Sequence, residues 1–438
     1  MNTLLAPAPR LLWLAFALLV AAIAASAWPA LAPAWLAAVA AAAVFAAVDA
    51  GAALRIAPPA AKRIVPGSLA LGVRHDVALR FANRVDAPLT LDVHDHSPAG
   101  METEALPQRV AVPAQGWAEI RYVIRPVARG DLAFGHVETR LHSRAGLWRV
   151  RRMLGENAIT RVYPNFAALT KFALLATDNR LSQLGILQRR RRGEGLDFHQ
   201  LRDFREGDAP RQVDWKATAR IGKLISREYQ DERDQQVVLM VDCGRRMAAQ
   251  DAALSHFDYV LNAALLLAYV GVRQGDAVGF MTMSGEERWF APRKSAATVS
   301  AILNRVYDLR PTLHTTDYYG AAVGLMKRLR KRALVVVLSN LRDEDDDTLA
   351  PALGLLQSRH LVLFASLREA ILSRALGARV TDFERALTHA AAAEYLQKRE
   401  LAFRRLERGG AVCLDVEPDQ LPIALVNRYI DIKRSGRL

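Results

Sequence analysis

Asp208 and Asp214 are carboxylates in a stretch dense with arginine, lysine and aromatic residues. Such a pair does general acid–base work when one member is kept protonated in an apolar pocket. No nucleophile and no pocket-forming apolar run accompanies them, so a structural ion-pair network is the plainer reading. A hydrolase using the Asp208/Asp214 region is its rival. His94 and His96 stand two apart on one strand face, where imidazoles can ligate a metal. With no third ligand identifiable, solvated or hydrogen-bonded histidines account for them. Cys243 directly follows Asp242. Without a His or Asp partner at a recognisable spacing it reads as a small half-buried residue rather than a nucleophile. The run Asp343-Glu344-Asp345-Asp346-Asp347 lacks the glycine and spacing of a calcium loop. It reads instead as a helix start, where carboxylates favour the N-terminal dipole. Cys413, the other cysteine, fits the core of a late strand. No zinc spacing or CxxC occurs, and two distant cysteines suit a reducing compartment better than a disulfide-stapled secreted module.

The elements around these residues begin with two apolar runs, Leu11 to Trp28 and Ala30 to Val48, neither carrying a charge. Each is about long enough to cross roughly 30 Å of hydrocarbon as a helix. Pro29 and Pro33 break the run, and Trp28 and Trp35 flank the break, where indoles favour the membrane interface. A cleaved signal peptide ending near Ala25-Ser26-Ala27 is the alternative, although it leaves the second run unexplained. Arg10 precedes the pair and Arg55, Lys62 and Arg63 follow it. The positive-inside rule therefore places both ends, and the bulk of the chain, in the cytoplasm.

From about Arg63 to Tyr163 the period becomes two: Val77, Leu79 and Phe81; Leu89, Leu91 and Val93; Ile120, Tyr122 and Ile124. Turn signals at Pro66-Gly67, Ser97 to Gly100 and Arg129 to Asp131 separate the runs. Short alternating strands at this spacing predict an antiparallel sandwich of immunoglobulin-like size. An amphipathic helix is expected from Phe166 to about Leu187, ending in Arg189-Arg190-Arg191-Arg192. The formal net charge of +14 and this arginine run suit an anionic membrane surface, nucleic acid or an acidic partner. Anionic lipid explains the run more simply than nucleic acid does, since a membrane is close by.

Next come Arg202, Gly207, Asp208, Asp214, Trp215, Lys216 and Arg220, read as a salt-bridged network around Trp215 with a sharp turn at Gly207. Acid and base nearly balance here, so no specific nucleic-acid site is expected. Beyond it, apolar strands (237–241, 277–283, 333–338, 360–366, 411–416) alternate with helices (257–273, 295–308, 319–330, 349–357, 387–408, 420–433). Continuously apolar strands alternating with helices predict a parallel, Rossmann-like sheet covered on both faces. Ligands of such folds bind beyond the carboxyl ends of the strands, where Asp242, Thr316 and Asn340 fall.

The stretch Gly207-Asp208 … Asp214-Trp215-Lys216-Ala217-Thr218-Ala219-Arg220 resembles the signature of bacterial proteins carrying domain of unknown function 58. The order of hairpin, β-region, signature and α/β domain fits that resemblance along the chain. It implies a two-pass protein of the cytoplasmic membrane, with soluble parts in the cytoplasm and an α/β von Willebrand factor A-like C-terminal domain. The expected divisions are a transmembrane hairpin (1–56), a β-sandwich (57–165), a linker helix with the signature (166–236) and the α/β domain (237–438). The resemblance also implies partnership with a MoxR-type AAA+ ATPase in assembly or maturation of other proteins.

Domains similar to von Willebrand factor A often hold Mg²⁺ at Asp-x-Ser-x-Ser, with a Thr and an Asp from later loops. Here the first loop reads Asp242-Cys243-Gly244-Arg245-Arg246, so Gly244 and Arg246 replace both serines. Thr316 matches the threonine, and Asn340 stands for the aspartate. Hard cations want oxygen ligands, and a guanidinium repels them. A degenerate adhesion site without tightly bound metal follows, with Arg246 expected either to pair with Asp242 or with the partner, or to face solvent. The chain reads as a non-enzymatic, membrane-anchored adaptor without cofactor, binding a protein through Asp242, Gly244, Arg246, Thr316 and Asn340.

Overall fold

The computed structural model describes residues 4–165, 197–205, 210, 213–230, 235–251, 254–342 and 346–437. The expected helix from Phe166 to Leu187, the Arg189–Arg192 run, Gly207 and Asp208 lie outside them. The chain divides into two compact units, Met1–Tyr163 and Pro164–Leu438.

The first unit opens with helices Pro9–Ala27 and Ala32–Arg55 around a turn at Pro29–Leu31. Proline in the first turn of each supplies a pre-set φ where no backbone donor is needed. Both are long and apolar enough to cross a membrane. Trp13, Phe16, Ile23, Phe45 and Val48 stand exposed on them. The Trp35 indole donates to Leu18 O at 3.0 Å across the hairpin. The second helix runs beyond the expected Val48 and carries a buried carboxylate, Asp49. Its oxygens are satisfied where they are buried, by donation from Ser143 Oγ (2.6 Å) and the Ala145 N–H (3.1 Å).

The rest of the unit is β-rich. One sheet orders Leu4–Pro7, Trp148–Leu154, Val137–His142, Leu89–Asp95 and Gln108–Val112. A second orders Ala60–Ile64, His75–Ala82, Trp117–Pro126 and Met101–Glu104, and a three-stranded sheet holds Ser68–Ala70, Ala158–Tyr163 and Gly130–Phe134. The alternating apolar positions read from sequence (Val77, Leu79, Phe81, Leu91, Val93, Ile124) are all buried. Between the first two sheets Arg63 forks onto Asp95 (2.7 and 2.9 Å), which also accepts from Tyr122 OH at 2.5 Å. Burial, with Asp95 alongside, pushes the Tyr122 hydroxyl well above its ordinary pKa. His96 bonds Glu138 at 3.0 Å, and its ring meets that of His94 edge-on.

The second unit is built on one mixed sheet. Its strands are β1 (Gln236–Val241), β2 (Ala277–Thr282), β3 (Trp289–Arg293), β4 (Leu334–Ser339), β5 (Leu361–Leu367) and β6 (Val412–Val416), in spatial order β3-β2-β1-β4-β5-β6. All neighbours are parallel except β3, which pairs antiparallel with β2 at the edge. The sequence reading missed β3, whose Pro292 suits an edge strand. Helices α1 (His256–Arg273), α2 (Thr298–Val306) and α7 (Leu421–Arg434) bury one face through Leu239, Val241, Leu266 and Leu425. Helices α3 (Tyr318–Arg328), α4 (Asp346–Gln357) and α6 (Phe383–Arg408) bury the other through Val238, Met240, Leu325 and Phe403. A short helix, α5 (Ala370–Gly377), was not foreseen. Two covered faces explain why the strands are apolar throughout instead of alternating. At the amino end of β2, buried Asp276 takes the Tyr429 hydroxyl and Lys433 Nζ (2.6 Å), fastening α7.

Glu138 is the group whose titration should be visible. Burial opposes its ionisation, but hydrogen bonds from His96, Arg151 and Arg140 outweigh burial and bring its pKa to about 2, from an ordinary 4.5. A depressed folded-state pKa stabilises above the unfolded value and is lost as pH falls toward the folded one. Acid unfolding followed by near-ultraviolet dichroism should therefore weaken the β-rich unit between about pH 4.5 and 2. Glu138→Gln should flatten that limb.

Candidate functional site

In the sheet's order the connections leave β1 toward β2 on one side and reach β4 on the other. The crevice beyond the carboxyl ends of β1 and β4 is thus the topological switch point, where open α/β sheets bind ligands. Asp242 follows β1 there, and Ser339 and Asn340 end β4.

Asp242 is buried and surrounded by donors. Its Oδ1 accepts the Gly244 N–H (2.7 Å), Thr316 Oγ1 (2.5 Å) and Ser284 Oγ (3.3 Å). Its Oδ2 accepts Ser339 Oγ (2.5 Å) and stands 3.4 Å from Tyr318 OH, and the two hydroxyls bond each other at 2.9 Å. Tyr318 and Ser339 have one hydroxyl proton each, so with Tyr318 donating to Ser339 four donors occupy the roughly four lone-pair sites of the carboxylate. Arg246 is not among them. It lies half-buried in the single turn Arg245–Ala248. The contacts described for Asp242, one of the partners expected for Arg246, come from hydroxyls and the Gly244 N–H.

Asn340 departs from its expected place as well. Its Nδ2 donates to Glu369 Oε1 at 3.0 Å and stands 3.4 Å from His256 Nδ1, while its Oδ1 accepts from Arg399 at 3.3 Å. The side chain thus belongs to a second cluster, centred on Arg399. Ser339, one residue earlier, reaches Asp242 in its stead. From α6, Arg399 is buried to 2% exposure. Its guanidinium donates to Asp415 (2.8 Å), Ser366 Oγ (2.7 Å), Leu367 O (2.6 Å), Leu341 O and Asn340 Oδ1. One side chain therefore links the carboxyl ends of β4, β5 and β6. Sequence reasoning passed over Arg399, Ser339, Ser284 and Tyr318.

Gly244 has an ordinary φ of −73°, so its need is space. A Cβ there would meet Thr316 Oγ1 at 2.3 Å and Asp242 Oδ1 at 3.1 Å. Around it, the 309–317 loop is stitched to the Asp242 loop. Thr312 donates to Cys243 O through its N–H (2.7 Å) and Oγ1 (3.1 Å), and the Arg245 N–H donates to His314 O (3.0 Å). The stitched loops present Leu313, 88% exposed, with Tyr319, Arg245 and Arg310 also open to solvent.

These residues do not fit a tightly held Mg²⁺. Such an ion wants near-octahedral oxygen ligation, usually with one or two carboxylates and several waters. The single carboxylate at the centre is saturated by donors, and the place of a serine ligand is filled by Thr316 Oγ1 against Gly244.

In the signature, Asp214 caps the helix Trp215–Ile221, accepting the Lys216 and Ala217 N–H groups at 3.0 Å each. Its other oxygen takes Arg227 Nε at 2.8 Å. The Ala217 N–H and then Arg227 hold its carboxyl below the usual range, the opposite of what a general acid needs. Trp215 is 69% exposed, and Asp208 of the expected network lies outside the described residues. Lys216 and Arg220 are exposed on the same helix, and Arg202 bonds Asp203 O from the strand Asp197–Asp203. That strand pairs antiparallel with Ile225–Gln230, where the sequence reading had no strand.

Residues 200–400 match the sequence model of a family described as "Protein of unknown function DUF58". No curated protein matches the chain. Among solved structures, part of the chain is similar to Salmonella alpha-2-macroglobulin reacted with methylamine, at 19% identity over 24% of this chain and 7% of that one, TM-score 0.20. Another is Escherichia coli alpha-2-macroglobulin activated by porcine elastase (17% identity, 24% and 9% covered, TM-score 0.20). A third is a FixG-related protein from Vibrio parahaemolyticus (8% identity, 24% and 98% covered, TM-score 0.18). The chain spans less than a tenth of either macroglobulin. At these scores the likenesses bear on neither mechanism nor ligand.

Gly244→Ser should show how tightly the switch point is closed. Forcing a side chain against Thr316 should cost about 1–3 kcal/mol, as overpacking does, read as a lower thermal midpoint. Gly244→Ser combined with Thr316→Ala should recover most of the loss, because the second change removes the obstructing hydroxyl.

Proposed function

We propose, for a chain whose residues 200–400 match the DUF58 family model, that it is a membrane-anchored, non-enzymatic adaptor. Its α/β unit binds another protein at the carboxyl ends of β1 and β4. The observation that carries this reading is the closure of the switch point. Where an enzyme or metal site of this architecture keeps a reactive group free, Asp242 is saturated by its own chain, and the stitched loops offer a pre-organised surface around Leu313. A rigid apolar residue flanked by Arg245 and Arg310 suits a protein interface, which concentrates energy in a few anchors and orients them by charge. The strand order with an antiparallel edge supports a von Willebrand factor A-like fold for this unit. In the first unit, two packed sheets support the sandwich reading.

The anchor is the helical hairpin, with both ends on one side of the membrane. Leu4–Pro7, before it, pairs with Trp148–Arg151, while Asp49 and Ala46 near its far end bond Ser143, Ala145 and Trp148. One strand region holding both ends supports a same-side arrangement, and flanking arginines make that side cytoplasmic. The partner class we infer is a MoxR-type AAA+ ATPase of a bacterial cytoplasmic membrane system that assembles or matures other proteins.

The test is gentle detergent extraction of the tagged chain from its native host, with mass spectrometry of what co-purifies. An AAA+ ATPase should be enriched with the wild type and fall by about thirtyfold with Leu313→Asp/Arg245→Glu, as expected for loss of a hot spot. Equal recovery with folded variant, or no enriched ATPase, would overturn the reading.

A further inference from the structure

The ends of the two apolar helices meet the β-rich unit at a cluster of arginines. Arg10 begins the first helix and Arg55 ends the second. Arg144 sits in the turn that receives Asp49, and Arg152 donates to Leu54 O (3.0 Å) and Ile56 O (3.4 Å) at the end of the second helix. None of the four meets a carboxylate among the described residues. Asp49, the carboxylate these helix ends do carry, is buried with both oxygens bonded. Arg10 lies across the turn through a hydrogen bond to Ala145 O at 3.3 Å. Gly146, with φ +73°, makes room for it, because a Cβ there would stand 2.9 Å from Arg10 Nη1. Arg152 Nε is buried without a protein acceptor, and Arg55 and Arg144 are exposed. Trp148, an amphipathic indole of the kind that favours the membrane interface, bonds Ala46 O at 2.8 Å beside them.

We propose that this collar binds the phosphodiester headgroups of anionic phospholipids in the leaflet that borders it. Guanidinium forks match phosphate oxygens and hold them by charge-assisted bonds. Juxtamembrane arginines draw anionic lipid from the cytoplasmic leaflet. The four cations sit where the exposed apolar helices end, which is the depth of a headgroup and selects lipid over free phosphate. Bound lipid would seat the β-rich unit on the membrane and fix its orientation. The inference rests on the reading of the helices as membrane-spanning.

The experiment uses the full chain extracted from membranes and reconstituted in nanodiscs of equal phosphatidylglycerol and phosphatidylcholine. Native mass spectrometry then counts the lipids retained. Wild type should retain phosphatidylglycerol over phosphatidylcholine, and Arg55→Gln/Arg144→Gln should reduce that preference by on the order of tenfold. Neither side chain makes a hydrogen bond or ion pair among the described residues, so the variant should fold normally, and Arg74→Gln, on an exposed ion pair with Glu104, should leave the preference unchanged. Equal retention of both lipids by wild type, an unaltered preference in the double variant, or displacement by millimolar glycerol phosphate would overturn the proposal. Alkaline carbonate washing of membranes separates the two readings. Release of the chain would defeat the anchor and the collar together, whereas firm retention without lipid preference would defeat the collar alone.

Discussion

A guanidinium cannot be neutralised, and burying one obliges the fold to supply an acceptor for each of its donors. Arg399 imposes that condition on the α/β unit. Its acceptors come from Asp415 on β6, Ser366 and Leu367 at the end of β5, and Asn340 and Leu341 after β4. The carboxyl ends of three strands must therefore keep one register, and α6 must pack so that this side chain reaches them. Asn340 is consumed in that task. Its amide turns toward Glu369 and Arg399, which leaves Ser339 to complete the bonding of Asp242.

The two buried clusters together make the pole of the sheet stiff. In a metal-dependent relative of such a site, an ion would organise the loops and offer a bond to the partner. Here the hydroxyls of Ser284, Thr316 and Ser339 bond Asp242 and do the organising. What stays available is outside: Leu313 and the arginines beside it, on backbone fastened through Thr312 and Arg245. A surface ordered before binding loses little conformational entropy when a partner arrives. That is the physical sense in which a closed switch point would suit the adaptor role proposed above.

Much of the architecture was legible in the residues. Val77, Leu79 and Phe81 announce a half-buried strand by alternation, and Val335, Val336 and Val337 a doubly covered one by continuity. The unforeseen elements lack such periods. Asp197 to Asp203 is polar at five of its seven positions, with Phe198 and Leu201 three apart, so its pairing with Ile225–Gln230 leaves no period-two pattern to read. Trp289–Arg293 is short, carries Pro292 and lies at an edge. The candidate site was legible in part, since Asp242 and Thr316 do meet. Its other members escaped because they are brought together from 42 and 97 residues away, as Ser284 and Ser339 are. Arg399 stands among Lys398, Glu400, Arg404 and Arg405, and nothing local marks it as the one that is buried. Asp49 is similar: a lone carboxylate ending an apolar run looks like a boundary, whereas its role depends on Ser143 and Ala145 far along the chain.

The central claim is that Asp242 is closed by its own chain and works without a metal. Isothermal titration of the intact, detergent-solubilised protein with Mg²⁺ or Mn²⁺ addresses it directly. The account predicts no saturable heat below millimolar cation. Micromolar binding lost on Asp242→Asn would contradict it, and would mean that the hydroxyl cage opens to ligate an ion.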